Sequence, residues 1–408
     1  MRLKDIAYIN PAYTGPDLGD QLVSFSPMEC LRYDSLKPIT ISFSEAKGKY
    51  TFFKDNDILF AKVTPCFENQ NIAIANNLVN GIGFGSSEIN VLRLKSDASL
   101  RYMFYVICSN RFYNTGCSSM CGVGGLKRIN PRAVSTFEFT MPSLTEQEAI
   151  AAYLDKECEK IGRKIELLER KAYAYSRLRR SLINRAVTRG LDPNVSLKPS
   201  NIEWVGDIPV HWTISRFAYF FAEHNISNKG VNHQNLLSLS FGKIIRKNID
   251  SCDGLLPATF ETYQIVEPGN IIFRFTDLQN DHKSLRVGLV NEEGIITSAY
   301  TCVQGNKETL PKFAFYMLHS YDIKKVFYKL GGGMRQSLNY RTIKDMKVVF
   351  PPIEEQKEIA AYLDEKCAKI DAILEKINTE VERLKELKRS LINEVVTGQR
   401  AIDTESHS

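Results

Sequence analysis

Along most of the 408-residue chain, apolar residues come in short runs broken by Gly, Asn, Asp and Pro, but twice the pattern turns long and helical. Apolar residues fall at Leu154, Cys158, Ile161, Ile165, Leu168, Ala172 and Tyr175, in alternating steps of four and three. The same steps return at Leu363, Cys367, Ile370, Leu374, Ile377, Val381 and Leu384. A mean spacing of about 3.5 is a coiled-coil seam, narrower than the stripe of an ordinary surface helix. After Tyr175 and Leu384 the next step is again three, to Leu178 and Leu387, which predicts one phase change in both helices. The surroundings repeat too: residues 142–188 align with 351–397 without a gap, at a constant offset of 209. The pattern predicts two long helices of one design, each about 65 Å at about 1.5 Å per residue.

Charge says how they pair. Residues 142–190 hold eleven Lys/Arg and seven Asp/Glu, whereas 351–408 hold nine and thirteen, so the nets are +4 and −4. Opposite charge favours pairing the two copies with each other over pairing either with itself. Equivalent helices in one chain pair most naturally about a pseudo-twofold axis, antiparallel.

The intervening blocks read as α+β. In residues 1–141, β-prone runs stand at 39–43, 50–53, 57–63, 71–75 and 89–94. A helical stretch around 100–112, a glycine-rich loop over 116–125 and a last strand over 136–141 follow. After the helix of 142–190, residues 191–200 form a linker by composition, and 201–350 repeat the plan of the first block. Residues 270–275 answer 57–62, 315–318 answer 104–107, and Gly331-Gly332-Gly333 before Asn339 answers Gly122-Val123-Gly124 before Asn130. The second helix, 351–400, ends in a polar tail, 401–408. The expected fold is therefore two tandem α+β domains separated by two long helices in an antiparallel coiled coil, an internal pseudo-twofold repeat.

Composition narrows the chemistry. At 43% hydrophobic and 25% charged, the chain has apolar residues for more than one core. The excess charge of +6 permits nucleic-acid binding without arguing for it. With no secretory n-region and no apolar run near 18 residues, a cytoplasmic protein with no membrane partner is expected. The nine cysteines are odd in number and scattered, so no disulfide framework or metal site is expected. Cys117 and Cys121 lack two further zinc ligands nearby, and Cys158 and Cys367 read as small hydrophobes in the seam. Catalytic motifs are missing. Asn130-Pro131 continues with Arg132 rather than the Pro-Tyr of an amino-methyltransferase, and residues 331–333 lack the Lys-Ser/Thr of a phosphate loop. Pro16-Asp17 with Glu45-Ala46-Lys47 has a nuclease-like look, but Asp364-Glu365-Lys366 matches as well inside a predicted coiled coil.

Two diverged blocks, each closed by a P-x-x-x-E-Q-x-x-I-A-x-x-L-D helix carrying a later S-L-I-N, form a recognisable pattern. The residues are Pro142, Glu146-Gln147, Ile150-Ala151, Leu154-Asp155 and Ser181-Leu182-Ile183-Asn184, with counterparts 209 residues on. Trp204-Val205-Gly206-Asp207-Ile208-Pro209 and His211-Trp212 lead into the second block, a lead-in the first block lacks. The chain resembles the specificity (S) subunit of Type I restriction–modification enzymes over nearly its whole length, most strongly in the helices. The resemblance implies two target-recognition domains, each reading half of a bipartite site in double-stranded DNA. It implies helices that space the domains and hold two methyltransferase (M) subunits, joined by motor–nuclease (R) subunits. It also implies a subunit that is no enzyme alone within an adenine-specific methyltransferase and endonuclease complex. No cofactor is expected in this chain, with S-adenosylmethionine on the methyltransferase partner.

Reading must then come from the diverged blocks, where Arg or Lys suits guanine and Asn or Gln suits adenine. Lys62 and the loop with Asn69 and Gln70 follow one strand, and Arg274, Gln279 and Asn280 stand at the equivalent place in the second block. Asn and Asp also favour loops for their own backbone chemistry, so these residues read equally as turn formers. Lys127 and Arg128, with Arg335 and Gln336, flank the glycine-rich stretches and are the second candidates, again beside a plain turn reading. A rival from another class is a coiled-coil scaffold whose two domains bind proteins rather than DNA.

Overall fold

The structure is a computed structural model that describes residues 1–95, 98–123, 125–231, 233–248, 259–276, 278, 285–330 and 338–402. The chain forms two compact units, Met1–Glu169 with Asn378–Ser408, and Arg170–Ile377. The long helices, α2 (Leu144–Arg189) and α4 (Ile353–Val396), each contribute to both units. Among the described residues no helix is long and apolar enough to cross a membrane.

In the first unit, β1 (Ala7–Ile9), β2 (Ile58–Ala61), β3 (Ile72–Ile74) and β4 (Ile89–Leu94) form an antiparallel sheet in the order β1-β4-β2-β3. Helix α1 (Leu100–Cys108) shares its core. In the second unit, β5 (Phe221–Glu223), β6 (Ile271–Phe273), β7 (Val287–Leu289) and β8 (Thr301–Gly305) take the matching order β5-β8-β6-β7, beside α3 (Pro311–Ile323). The common frame is thus one sheet and one helix, built twice. The remaining strands differ between the units. The first adds a sheet of Ile39–Ser42, Leu22–Ser26, Ile82–Gly85 and Thr51–Lys54. Its glycines have a reason: a Cβ on Gly83 would stand 2.2 Å from the Phe53 ring.

Three expectations are corrected. The helical stretch expected over 100–112 breaks at Ser109, whose backbone is extended and whose hydroxyl accepts the Phe112 N–H at 3.3 Å, capping a second helix, Asn110–Ser118. The expected loop over 116–125 therefore begins inside that helix and continues as a hairpin, Cys121–Val123 with Leu126–Arg128. The strand expected over 136–141 shrinks to a bridge between Arg2 and Glu138, flanked by Leu3 N–H donating to Phe137 O at 2.9 Å and Phe139 N–H to Met1 O at 3.0 Å. In the second unit the corresponding pairing is a full ladder, Thr213–Arg216 with Lys347–Phe350.

The repeated motif residues are joints. Gln147, 2% exposed, accepts the N–H of Ser99, the cap of α1, at 2.9 Å and donates to Pro142 O at 2.8 Å. Gln356, 1% exposed, accepts the N–H of Leu310, the cap of α3, at 2.8 Å and donates to Pro351 O at 2.9 Å. About two turns further on, Asp155 accepts Tyr105 Oη and Arg101 Nε, both at 2.6 Å. Asp364 accepts Tyr316 Oη at 2.7 Å and pairs with Lys312 Nζ at 3.1 Å. Burial and the carboxylate together push both phenols well above their ordinary range, so they stay donors.

Within each unit the long helices run antiparallel. Leu154 and Cys158 share a core with Leu391, Ile392 and Val395, Ile161 packs against it, and Lys164 Nζ reaches Glu380 at 2.9 Å. In the other unit Ile183, Ala186 and Val187 meet Ile359, Leu363 and Cys367, and Arg179 Nε reaches Asp371 at 3.1 Å. Ile370 and Ile377 are buried, while Ile165, Leu168 and Leu374 are half-buried. The phase change expected in the seam is corrected as well. Leu178 and Leu387 are 47% and 52% exposed, because the next seam positions are Arg179 and Lys388, four residues on. A long aliphatic stem serves there as a hydrophobe; the Lys388 ammonium lies 4.1 Å from the Tyr33 ring centre. Leu154→Ala or Leu363→Ala should therefore cost about 2–5 kcal/mol, against about 0.5 kcal/mol or less for Leu178→Ser or Leu387→Ser. Urea unfolding checks this; equal losses at Leu178 and Leu154 would contradict the assigned seam.

Candidate nucleic-acid interface

Among the expected reading residues, those of the first domain gather around one hairpin. All six residues of Cys121–Val123 and Leu126–Arg128 are exposed, and Val123 is 89% exposed at the turn. The hairpin is stitched to the end of β2. Thr64 N–H donates to Lys127 O, Lys127 N–H donates to the Thr64 hydroxyl (both 2.9 Å), and that hydroxyl donates to Gly125 O at 2.8 Å. Ile129 N–H donates to Lys62 O at 2.9 Å. Lys62, Asn69, Lys127 and Arg128 thus lie on a connected strand, loop and ribbon, with Asn69 and Lys127 exposed.

Two of the candidates are occupied within the chain. Gln70 Nε2 donates to Cys108 O at 3.3 Å. Arg128 donates through Nε and Nη2 to both carboxylate oxygens of Glu88, the shortest contact 2.7 Å. That guanidinium holds the Glu88 carboxyl below its usual range. Glu88 was not signalled by any motif; only its place three residues beyond a Gly-rich strand end singles it out.

In the second domain, Arg274 sits half-buried directly after β6. Gln279, Asn280, Arg335 and Gln336 lie outside the described residues. The residue that organises this region is Arg286, which no sequence motif signals. It is fully buried. Its Nη1 donates to Arg274 O at 3.1 Å and Thr276 O at 2.6 Å, its Nε to Tyr328 Oη at 2.9 Å, and its N–H to Asp322 at 2.6 Å. Both backbone carbonyls at the start of the second loop expected to read DNA are therefore held by one buried guanidinium, a geometry that suits Arg and not Lys. Burial pushes the Asp322 carboxyl up to about 6. Among the described residues no three His, Cys, Asp or Glu side chains stand close enough to hold a metal ion.

The model of the Type I restriction modification DNA specificity domain matches residues 4–170 and 287–383. The chain belongs to this family. Both matched stretches contain a complete joint: Tyr105, Gln147 and Asp155 in one, Tyr316, Gln356 and Asp364 in the other. The specificity subunit of the Type I restriction enzyme EcoEI of Escherichia coli is 37% identical over 158 residues, 38% of this chain and 26% of that protein. The match thus spans about a quarter of that relative's length. The MjaVIII specificity subunit of Methanocaldococcus jannaschii is 23% identical over 317 residues, 73% of this chain and 69% of that one. A chain in a solved structure concerning complex assembly and conformational transition of the type I R-M system superposes with a TM-score of 0.71. It covers 98% of this chain and 97% of its own at 16% identity, a likeness of fold.

Asp322 gives this family member a pH signature. Its folded pKa of about 6 lies above the ordinary 3.8, so its contribution is whole below that lower value and lost as pH rises through about 6. Asp322→Asn keeps an acceptor for Arg286 N–H and removes that loss. Its urea midpoint should gain on the parent chain as pH rises from about 4 to about 7, and a gap that stays constant or moves the other way would contradict the assignment.

Proposed function

We propose that the chain is the DNA-sequence specificity subunit of a Type I restriction–modification complex, each domain reading one half of a bipartite site. Family membership supports this, and the observation that carries it is the duplicated joint. One frame of sheet, helix, buried Gln and Asp is kept in both units, while the strands and loops it displays differ. That division suits two readers of different half-sites on one spacer. In the first domain the exposed ribbon is the proposed reader, since a two-stranded ribbon fits the major groove. Lys127 and Asn69 reach for base edges there, whereas Arg128, engaged by Glu88, sets the ribbon's position. In the second, Arg274 and the following Gln279 and Asn280, with Arg335 and Gln336, are proposed.

The chain acts as a reader and scaffold for two methyltransferase subunits, which carry S-adenosylmethionine and modify adenine, with motor–nuclease subunits added for cleavage. The complex works in the cytoplasm. Its DNA affinity should fall linearly on a log–log plot against salt as phosphate-bound counterions are released. A protein-binding scaffold would show no specific DNA affinity at any salt. Exchanging residues 201–350 for another family member's second block should change one half of the methylated motif and leave the other. Lys127→Ala should relax preference at one base position of the unexchanged half by about 1–3 kcal/mol. Both outcomes are read by methylome sequencing of cells expressing the complex. A motif changed in both halves by the exchange would contradict independent reading.

A further inference from the structure

Because the chain is built twice, the interior of one unit shows what the shared frame accepts in the other. In the first unit a hairpin, Leu31–Arg32 with Ser35–Leu36, presents Tyr33 and Asp34 at its turn. The Tyr33 ring packs edge-on against Phe104 at 5.9 Å and beneath the Lys388 ammonium at 4.1 Å. Its hydroxyl is buried beside Cys108. Asp34 accepts Arg101 Nη1 and Nη2, both at 2.6 Å. The seat is filled by a phenol followed directly by a carboxylate.

Its counterpart is a cleft of about 890 Å³ in the second unit, within the roughly 300–1,000 Å³ of ligand sites. Arg179 stands where Lys388 stands, 209 residues apart, while Lys312, Phe315 and His319 replace Arg101, Phe104 and Cys108, each 211 apart. The corresponding hairpin, Leu237–Ser240 with Lys243–Arg246, carries Phe241-Gly242 at its turn. Phe241 is 71% exposed at the cleft's edge, with a left-handed φ of 45°. It offers neither a hydroxyl nor a following carboxylate. The lining is rich in cations, with Arg179, Arg180, Lys243, Lys312 and Lys325 against Asp364 and Asp371. His319, 5% exposed, lines the cleft with an Nδ1 that has no hydrogen-bond partner. Burial, then Arg179 and Arg180, bring its pKa down to about 4, so it is neutral at physiological pH and serves as donor or acceptor.

We infer that this cleft docks a turn of a partner polypeptide bearing a tyrosine followed directly by Asp or Glu. The ring lies on Phe315 beneath Arg179, the phenol meets His319, and the carboxylate pairs with Lys312. A polypeptide is favoured over a nucleotide because the twin seat holds a peptide turn with this same order of groups. The inference stands apart from DNA reading, which it neither needs nor supports.

The test uses the full chain and a fluorescent cyclic peptide with the sequence of residues 31–36, Leu-Arg-Tyr-Asp-Ser-Leu. Saturable binding is expected, weakened at least about tenfold by the peptide's Tyr33→Ala or Asp34→Asn version and by Lys312→Gln in the chain. The peptide versions need no refolded variant, so the result stands even if Lys312→Gln is unstable. Absence of saturable binding overturns the proposal. So does binding indifferent to Asp34→Asn, or displacement of the peptide by equimolar adenosine monophosphate, which would mark a nucleotide site. Binding seen only after Phe241→Gly would assign the seat to the chain's own turn and overturn it equally.

Discussion

The hydrogen bond from Tyr105 to Asp155, repeated by Tyr316 and Asp364, is the constraint on which the rest of the molecule depends. It ties a globular domain to a long helix at one azimuth. The neighbouring Gln147 and Gln356 tie the same domain at the helix start, through a buried amide bonded at both ends. Two anchors on one helix face leave a domain no freedom to swivel. Leaving either buried amide unpaired would cost about 1–3 kcal/mol, so the joint resists partial opening. A domain held this way can diverge in its loops without losing its bearing on the helix.

Each unit is closed by both helices, and this is where the S-L-I-N segments act. Ile183 of α2 packs in the core that holds Trp212 and Phe313, and Leu391 and Ile392 of α4 pack in the core that holds Phe104 and Phe112. The first part of each helix thus serves the domain that precedes it in the chain, and the last part serves the other. Gly190, with φ of 71°, lets α2 end where its own Cβ would crowd Glu355, the residue that accepts Trp212 Nε1 at 3.1 Å.

Much of this was legible. The seam follows from spacing, because periodicity reports one face of a helix directly; the choice of partner follows from charge, and the antiparallel direction and the repeated frame from the duplication. Five β-prone runs in the first block became strands at nearly the expected bounds, since alternation and turn residues mark them. What sequence concealed were partners far along the chain. Nothing near Gln70 announces Cys108 O, and nothing near Arg286 announces three carbonyl and hydroxyl partners up to 42 residues away. Leu178 and Leu387 misled for a different reason: apolar identity suggested the seam, while geometry gave the position to the stems of Arg179 and Lys388. The joints were visible as repeated letters, but their chemistry needed the side chains brought together.

If the chain reads DNA as proposed, domains tied to the long helices make helix length the ruler of the recognised site. One heptad inserted into both helices, after Glu169 in α2 and after Ile377 in α4, spares both joints and keeps the seam in phase. It adds about 10.5 Å, or about three base pairs, and turns the second half-site by about 100° around the duplex. Genome-wide sequencing of methylated sites should then show both half-sites unchanged and the gap between them longer by about three base pairs, or methylation lost if the complex cannot follow the twist. Full methylation at the original spacing would contradict the account.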